Sequence, residues 1–270
     1  MHKILSTPDL LCRYLEELSS EIMMPRFRQL GDGEMREKSA GDYVTIVDIE
    51  MERELTGILQ NIIPGSLVLG EEAVSENPEM LSDAKHHEYV WLVDPLDGTN
   101  NFTRGVTRFC VMVALLCKGR IIQSWIYNPV DQIHCMAQSE EGAYYGDEKL
   151  ICSNVTSFDE MEGQVSLNAI LDKDHRLKIK SEQNKVFANV DRLGCAGYDF
   201  VQHARNLRHF SLYNRLAPWD IAPGRLILEE AGGKIAVIDT EELEPFATNY
   251  KILSSVSAAN WHDLKKYFGY

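Results

Sequence analysis

The chain has little positive charge and no long hydrophobic run, and both absences restrict what it can do. Its 270 residues carry 27 Lys and Arg against 41 Asp and Glu, which gives a formal net charge of -14. A field of that sign disfavours non-specific adhesion to nucleic acid or to an anionic membrane, although simple solubility explains the acidic excess equally well. No stretch approaches the roughly 18 consecutive apolar residues that a membrane span needs. We therefore predict no membrane insertion and no direct binding to nucleic acid.

The cysteines lack any metal-binding or disulfide pattern. None of the six forms a C-x-x-C pair, and no His cluster lies near them at zinc-ligand spacing. Several, such as Cys110 and Cys117, lie in apolar runs, where cysteine behaves as a small hydrophobic residue. We therefore expect reduced thiols in a cytoplasmic protein.

The composition and the periodicity predict one folded α+β unit. Apolar residues make up 44% of the chain, enough for a sizeable core. Apolar residues at helical spacing predict helices over 8–30 and 46–62, separated by an exposed, charged, Gly-rich loop over 31–42. Later patterns predict strands at 66–70, 89–93, 109–117, 121–127, 133–138, 142–145, 234–239 and 251–255, and helices near 197–208, 221–231 and 257–268. No repeat or linker interrupts the chain, so we expect a single layered domain over 1–270, or two sub-lobes of about 1–150 and 151–270.

Carboxylates recur in three segments where an apolar strand ends or a helix begins. These segments are Gly70-Glu71-Glu72, the run Trp91 to Phe102, and the run Pro218 to Gly224. In the second segment, Asp94 follows an apolar strand, and Pro95 should end strand pairing because proline has no N–H. The turn Asp97-Gly98-Thr99 then offers free backbone N–H groups that suit a phosphate oxygen. Oxygen ligands of this kind suit Mg²⁺.

Turn formation and helix capping are simpler explanations for the same residues. Asp94 and Asp97 precede Pro and Gly, which are ordinary turn residues. Asp220 is well placed to cap a helix that begins at Ile221. However, carboxylates delivered to a buried sheet edge without a metal or a basic partner are costly. Because Glu71 also lies at a strand end, we favour a cation site over capping alone.

The ordered set of motifs resembles the inositol monophosphatase family of Mg²⁺-dependent, lithium-sensitive phosphatases. The segments that carry the resemblance are Lys38 with Asp42–Asp48, Gly70–Glu72, Asp94–Phe102, Gly194–Ala196, Trp219-Asp220 and Gly232-Gly233. The resemblance implies a layered αβαβα sandwich of the inositol monophosphatase and fructose-1,6-bisphosphatase type, and a homodimer. It also implies phosphomonoester hydrolysis by a metal-activated water that attacks phosphorus directly, without a phospho-enzyme.

The resemblance further implies a role for each matching residue. Two to three Mg²⁺ ions per site would be held by Glu71, Asp94, the Leu96 carbonyl, Asp97 and Asp220, whereas Asp48, Glu71 and Thr99 would serve catalysis. The substrate side would consist of Asp97, Gly98, Thr99, Gly194, Cys195, Ala196 and Asp220, with Lys38 as a loop contact. The loop over 31–42 is then expected to close over the substrate.

One departure from the family pattern affects the choice of substrate. Inositol monophosphatases place a polyol-contacting glutamate seven residues before the aspartate of Trp-Asp, and here Tyr213 occupies that position, followed by Asn214 and Arg215. The alternatives to an inositol monophosphate-like substrate are a 3′(2′),5′-bisphosphate nucleotide and a sugar or histidinol phosphate. A non-catalytic regulatory protein on the same fold is the contrasting class, and its expected signature would be a missing ligand residue.

Overall fold

A computed structural model describes residues 8–31, 33–39 and 41–270. In this part of the chain the α-helices are α1 Pro8–Leu18, α2 Ile46–Ile62, α3 Glu71–Glu76, α4 Met80–Asp83, α5 Thr99–Thr103, α6 Lys173–Val186, α7 Ala196–Ala204, α8 Pro218–Glu230 and α9 Ala258–Tyr267. The strands are β1 Met35–Ser39, β2 Asp42–Thr45, β3 Leu67–Gly70, β4 Tyr89–Asp97, β5 Cys110–Cys117, β6 Arg120–Asn128, β7 Ile133–Gln138, β8 Gly142–Tyr145, β9 Glu148–Lys149, β10 Glu162–Val165, β11 Asn189–Val190, β12 Phe210–Tyr213, β13 Lys234–Val237 and β14 Ile252–Ser255. This mixture confirms the predicted α+β class.

Two large sheets organise the chain. Strands β3 to β9 form a seven-stranded sheet in chain order, in which β3 and β4 are parallel and the other neighbours are antiparallel. Strands β11-β10-β12-β14-β13 form a five-stranded mixed sheet, and β1 and β2 form a separate hairpin. The carboxyl ends of β3 and β4 therefore lie side by side at one edge of the larger sheet.

Three layers of helices alternate with the two sheets. Helices α1 and α2 cover one face of the seven-stranded sheet through residues such as Leu15 and Leu55. Helices α7 and α8 fill the space between the sheets, where Phe200 and Ile227 are fully buried. Helices α6 and α9 cover the outer face of the five-stranded sheet, with Trp261 buried there. The predicted αβαβα sandwich is thereby confirmed.

The helix predicted over 8–30 is shorter and less regular than its apolar spacing suggests. Helix α1 ends at Leu18, and a π-helical turn over Ser19–Met23 and a 3-10 turn over Met24–Arg26 follow. Pro25 has no N–H to donate to a preceding carbonyl, so a regular α-helix does not continue through it. The backbone is extended at Phe27.

The prediction of a loop over 31–42 is wrong for much of that segment. Strand β1 pairs with β2 in an antiparallel hairpin with a register shift between Glu37 and Ser39. Residues 32 and 40 lie outside the described part. The charged residues predicted a loop. A two-stranded hairpin, however, has no buried face that requires alternating apolar residues, so its strands can be charged. None of the described helices is long and apolar enough to cross a membrane.

Candidate active site

The junction between β4 and α5 presents two of the aspartates predicted to serve the site. Strand β4 continues through Pro95 to Asp97, so the prediction that pairing stops at Pro95 is wrong. Asp94 lies opposite Met112 and Asp97 lies opposite Cys110, which leaves one extra residue on β4 between the two pairs. Such a bulge accommodates a proline that cannot donate to the ladder.

Three carboxylates from separate elements meet at this edge of the sheet. Glu71 begins α3 directly after β3, Asp94 lies on β4, and Asp220 lies in the first turn of α8. One carboxylate oxygen from each of these residues lies within 4.8 Å of the others. The parallel pairing of Gly70 with Val93 places the first two side by side. We call Glu71, Asp94 and Asp220 the acidic centre.

The acidic centre is unfavourable as three separate anions. Burial, followed by repulsion from Asp220, raises the pKa of Glu71 to about 8. Burial and repulsion from Asp97 raise the pKa of Asp220 to about 7. Asp94 is 2% exposed, and burial together with repulsion from Glu71 raises its pKa well above its usual value. A cation bound here would offset this repulsion.

Asp220 does not cap its helix in the predicted way. Helix α8 begins at Pro218 rather than at Ile221, and Asp220 is the third residue of the helix. Its Oδ2 atom accepts a hydrogen bond of 2.8 Å from the N–H of Ala217. One carboxylate oxygen thus fixes the start of the helix, as in a capping box.

Lys38 reaches the acidic centre from the β1–β2 hairpin. Its Nζ atom lies 3.3 Å from Glu71 Oε1 and 2.6 Å from Glu72 Oε1. The loop contact predicted for Lys38 is therefore made to a carboxylate of the site. Burial lowers the pKa of Lys38, but attraction to Glu71 and Glu72 outweighs this effect, so the net shift is upward.

Glu52 supports the same corner of the site and was missed by sequence reasoning. Its two carboxylate oxygens accept hydrogen bonds of 2.8 Å from the N–H groups of Glu72 and Ala73. These are orphan donors at the start of α3, so Glu52 fixes the helix that carries Glu71. The sequence places Glu52 four positions after Asp48 on the same face of α2, but this spacing alone does not predict the contact with α3.

Asp48 and Thr99, which were predicted to act together, are in contact. Asp48 Oδ2 accepts hydrogen bonds from the backbone N–H of Thr45, at 2.8 Å, and from the Thr45 hydroxyl. The Thr99 hydroxyl lies 3.1 Å from Asp48 Oδ1 and 2.9 Å from the Leu96 carbonyl oxygen. Burial raises the pKa of Asp48 to about 6, against the opposing effect of the Thr45 bonds.

Asp97 faces two thiols and a helix terminus. Its Oδ2 atom accepts a hydrogen bond of 2.6 Å from the N–H of Gly197 and lies 3.0 Å from Cys195 Sγ and 3.6 Å from Cys110 Sγ. This position separates Asp97 Oδ2 from the acidic centre, although Asp97 still raises the pKa values of Asp94 and Asp220. Cys110 is a contact that sequence reasoning did not find, because only the pairing of β4 with β5 brings it here.

The glycines of the substrate side lie at close approaches of the backbone. Gly98 has a φ of +90°, and a Cβ there would lie 2.9 Å from the Arg108 carbonyl oxygen and 3.1 Å from Cys195 Cβ. Gly194 has a φ of +73° and precedes Cys195 and Ala196, which lead into α7. Asn101 Nδ2 donates to the carbonyls of Leu193 and Gly194 at 2.8 and 3.2 Å. These bonds tie the 193–196 segment to α5.

Tyr213, which stands in place of a polyol-contacting glutamate, is engaged elsewhere. Its hydroxyl donates a hydrogen bond of 2.7 Å to Asp199 Oδ2 in the interior. Asp199 is fully buried and also lies 2.9 Å from Arg208 Nε. The Tyr213 hydroxyl therefore has a structural partner.

The family model and the curated relatives show that the chain with this fold and acidic site is a phosphatase, a hydrolase of phosphate monoesters. The chain belongs to the inositol monophosphatase family, whose model matches residues 14–267.

Known proteins agree with this assignment. The inositol-1-monophosphatase of Mesorhizobium japonicum is 33% identical over 207 residues, which cover 75% of this chain and 74% of the relative. The Nus factor SuhB of Pseudomonas aeruginosa is 28% identical over 225 residues, which cover 81% and 80%. The solved structure of a Thermotoga maritima IMPase superposes with a TM-score of 0.81 at 22% identity and covers 96% of this chain and 95% of its own. This last likeness shows the fold.

Proposed function

We propose that the chain is a Mg²⁺-dependent phosphomonoesterase that hydrolyses a small phosphorylated alcohol. The observation that carries the proposal is the acidic centre, in which Glu71, Asp94 and Asp220 place carboxylate oxygens within 4.8 Å of one another. Family membership supports the same chemistry. Cytoplasmic location and a homodimer belong to the proposal as well.

The residues present fit Mg²⁺ better than a soft metal. The acidic centre offers carboxylate oxygens, which a hard cation prefers, and the Leu96 carbonyl lies two residues beyond Asp94 on the same strand. With Asp97, the four acidic side chains carry a formal charge of -4, which two Mg²⁺ ions would balance. Bound Mg²⁺ would supply electrostatic stabilisation of the phosphoryl oxygens and lower the pKa of a water molecule.

The chain's own residues perform the positioning and proton-handling steps. Asp48, with Thr99 hydrogen-bonded to it, is placed to accept a proton from the attacking water. The raised pKa of Asp48, about 6, is close to the pH at which such a base works efficiently. The turn that offers the N–H groups of Gly98 and Thr99 to a phosphate requires glycine at 98, because a side chain there would meet the Arg108 carbonyl.

A substitution at the middle of the acidic centre tests the proposal. We expect Asp94→Asn to lower kcat/KM by at least roughly a hundredfold, because a metal ligand is weakened while the volume of the side chain is kept. The measurement is phosphate release from a panel of inositol, sugar, histidinol and nucleotide phosphates with Mg²⁺, with circular dichroism as the check on folding. Near-normal turnover in the variant would remove the acidic centre from the mechanism.

A regulatory role without catalysis is the competing function, and four curated relatives of this chain are Nus factors. Against it, every acidic residue expected of the catalytic set is present, namely Asp48, Glu71, Asp94, Asp97 and Asp220. If the wild-type chain with Mg²⁺ released no phosphate from any ester of the panel, the phosphatase proposal would fail.

A further inference from the structure

Two cysteine thiols lie against Asp97, and neither thiol handles a proton or a metal ion in the proposed hydrolysis. Cys110 Sγ lies 3.6 Å from Cys195 Sγ, and the two sulfur atoms lie 3.6 and 3.0 Å from Asp97 Oδ2. One ligand atom from each of the three residues lies within 4.8 Å of the others. We call Asp97, Cys110 and Cys195 the thiol cluster.

The fold assembles the thiol cluster from three distant parts of the chain. Pairing of β4 with β5 sets Asp97 opposite Cys110, and Cys195 precedes the first residue of α7. The two cysteines are 85 residues apart in the sequence. No C-x-x-C spacing therefore marks the cluster, and the prediction from sequence that the cysteines lack a metal-binding pattern did not anticipate it.

The distances within the thiol cluster suit a tetrahedral ion of the size of Zn²⁺. With Zn–S bonds of about 2.3 Å and a Zn–O bond of about 2.0 Å, tetrahedral angles place two sulfur ligands about 3.8 Å apart, and a sulfur and an oxygen about 3.5 Å apart. The observed sulfur–sulfur distance is 3.6 Å, and the sulfur–oxygen distances are 3.6 and 3.0 Å. Two of the three distances already match, and the third would lengthen by about half an ångström.

Entry of a divalent cation leaves the net charge of the thiol cluster unchanged. Both thiols donate towards Asp97 Oδ2, so their protons lie where the cation would bind. A Zn²⁺ ion that forms two Zn–S bonds releases both protons to solvent. Because two positive charges enter and two leave, the exchange adds no net charge to the interior, where an added charge would be costly.

Helix α7 holds the thiol cluster in this arrangement. The N–H of Gly197 donates a hydrogen bond of 2.6 Å to Asp97 Oδ2. A Cβ on Gly197 would lie 2.6 Å from Cys110 Sγ, so glycine leaves the space that the thiol occupies. Cys110 is 1% exposed and Cys195 is 5% exposed, whereas Asp97 is only partly buried. An ion can therefore reach the two sulfur atoms along the Asp97 carboxylate.

We propose that the thiol cluster binds a soft divalent cation, Zn²⁺ or Cd²⁺, and that the bound ion inhibits hydrolysis. Thiolates select such ions, whereas the carboxylate oxygens of the acidic centre suit Mg²⁺. The soft ion draws Asp97 out of the set expected to hold Mg²⁺ and fixes Cys195 between Gly194 and Ala196 on the substrate side. The inhibition rests on the proposed function, and the binding does not.

Titration of the wild-type chain with Cd²⁺ tests the binding. The protein is reduced with a phosphine and saturated with Mg²⁺, and the ultraviolet absorbance is recorded, because thiolate-to-Cd²⁺ charge transfer requires a sulfur ligand. We expect a band that saturates at one ion per chain and is lost in Cys110→Ser and in Cys195→Ser. Cys117→Ser is the matched control, because Cys117 lies at the other end of β5, and this variant should keep the band. Absence of the band from the wild type, or its survival in both cluster variants, would overturn the inference.

Phosphate release in saturating Mg²⁺ tests the inhibition. Each protein is compared with its own rate without Zn²⁺, so a change in basal activity does not enter the comparison. The Zn²⁺ concentration that halves the rate should be the same in Cys117→Ser as in the wild type, and at least roughly tenfold higher in Cys110→Ser. Equal inhibition of all three proteins would place the inhibiting ion at the acidic centre and overturn this part of the inference. If the wild type released no phosphate even without Zn²⁺, the proposed function would fail and the inhibition with it, whereas the Cd²⁺ band decides the binding independently.

Discussion

At the scale of single residues, the Thr99 hydroxyl connects the end of β4 to Asp48, which lies in the first turn of α2. It lies within hydrogen-bond distance of Asp48 Oδ1 and of the Leu96 carbonyl oxygen. We expect Thr99→Ala to lower kcat by roughly a hundredfold, because Asp48 loses the group that orients it towards the attacking water. Thr99→Ser keeps the hydroxyl and should retain most of the activity. Steady-state kinetics at saturating Mg²⁺ are the measurement.

Thr103 offers a matched control on the same short helix. Among the described residues its hydroxyl bonds only to the Asn100 carbonyl, at 3.1 Å, so Thr103→Ala should leave kcat close to the wild-type value. If both alanine variants lost activity equally, the effect would belong to the stability of α5 and not to the contact with Asp48.

The site residues that sequence reasoning found share a local signal, and those that it missed do not. Asp94 and Asp97 lie within one short motif after an apolar strand, so the sequence alone places them at a sheet edge. Glu52 is recognisable only once α2 is packed against α3, and Cys110 only once β5 is paired with β4. Contacts of this kind depend on tertiary packing, which a pattern of neighbouring residues does not report.

At the scale of secondary structure, Gly70 connects β3 to α3 at a point where no side chain fits. A Cβ on Gly70 would overlap the Glu52 carboxylate that caps the first N–H groups of α3. We expect Gly70→Ala to destabilise the fold by about 1–3 kcal/mol and to weaken Mg²⁺ binding about tenfold, because Glu71 moves with α3. Urea unfolding and calorimetric titration with Mg²⁺ are the measurements.

Gly57 provides the comparison for that substitution. It is an exposed glycine in α2, and a Cβ there would meet no atom of the described residues within 4 Å. Gly57→Ala should therefore stabilise the chain, by about 0.5–1 kcal/mol, without changing Mg²⁺ affinity. A similar loss in both variants would contradict the role given to Glu52.

The boundaries of elements were predicted less well than their existence, for identifiable physical reasons. Strand β4 passes Pro95 because a bulge takes up the residue that cannot pair. Helix α8 begins at Pro218 because Asp220 accepts a hydrogen bond from the N–H of Ala217, the residue before the helix, and not from an N–H in the turn that follows Asp220. A bulge decides the first boundary and a hydrogen bond the second, whereas the apolar periodicity only locates the element.

Buried His203 couples α7 to β12 and β14 and makes stability depend on pH. Its ring lies 3.2 Å from Ser211 Oγ and 3.4 Å from Ser254 Oγ, and burial lowers its pKa below 6.5. The unfolded chain therefore binds a proton more readily, so this contribution is full above about pH 6.5 and is lost as the pH falls below it. We expect the contribution of His203 to the free energy of unfolding to fall from pH 7.5 to 5.5, by at most about 1.4 kcal/mol per pH unit.

Substitution separates His203 from other titrating groups. His203→Gln should show a smaller loss of stability over the same pH range, whereas His86→Gln, at an exposed position, should keep the wild-type dependence. The measurement is urea unfolding in saturating Mg²⁺, because the bound ion suppresses titration of the acidic centre. An unchanged pH dependence in His203→Gln would contradict the assignment.

At the scale of the whole molecule, the net charge of -14 matters less than where a few charges lie. The seven-stranded sheet and helices α3 and α8 converge on the acidic centre, where burial and mutual repulsion raise the pKa values of Glu71, Asp94 and Asp220. In the ionised form these groups oppose folding until a cation offsets their repulsion and the cost of their burial. Stability of the entire fold is therefore linked to metal binding.

Mg²⁺ is accordingly expected to raise the melting temperature of the wild-type chain. A free concentration one hundred times the Kd adds about 2.7 kcal/mol, which corresponds to roughly 5–10 °C at about 2–4 °C per kcal/mol. Asp94→Asn removes both a ligand and a repelling charge, so at pH 8 in EDTA this variant should melt no lower than the wild type and should gain little from Mg²⁺. Scanning calorimetry of both proteins, with and without Mg²⁺, is the measurement. An equal rise in the variant would mean that the ion stabilises the chain elsewhere, and the acidic centre would lose its role as the metal site.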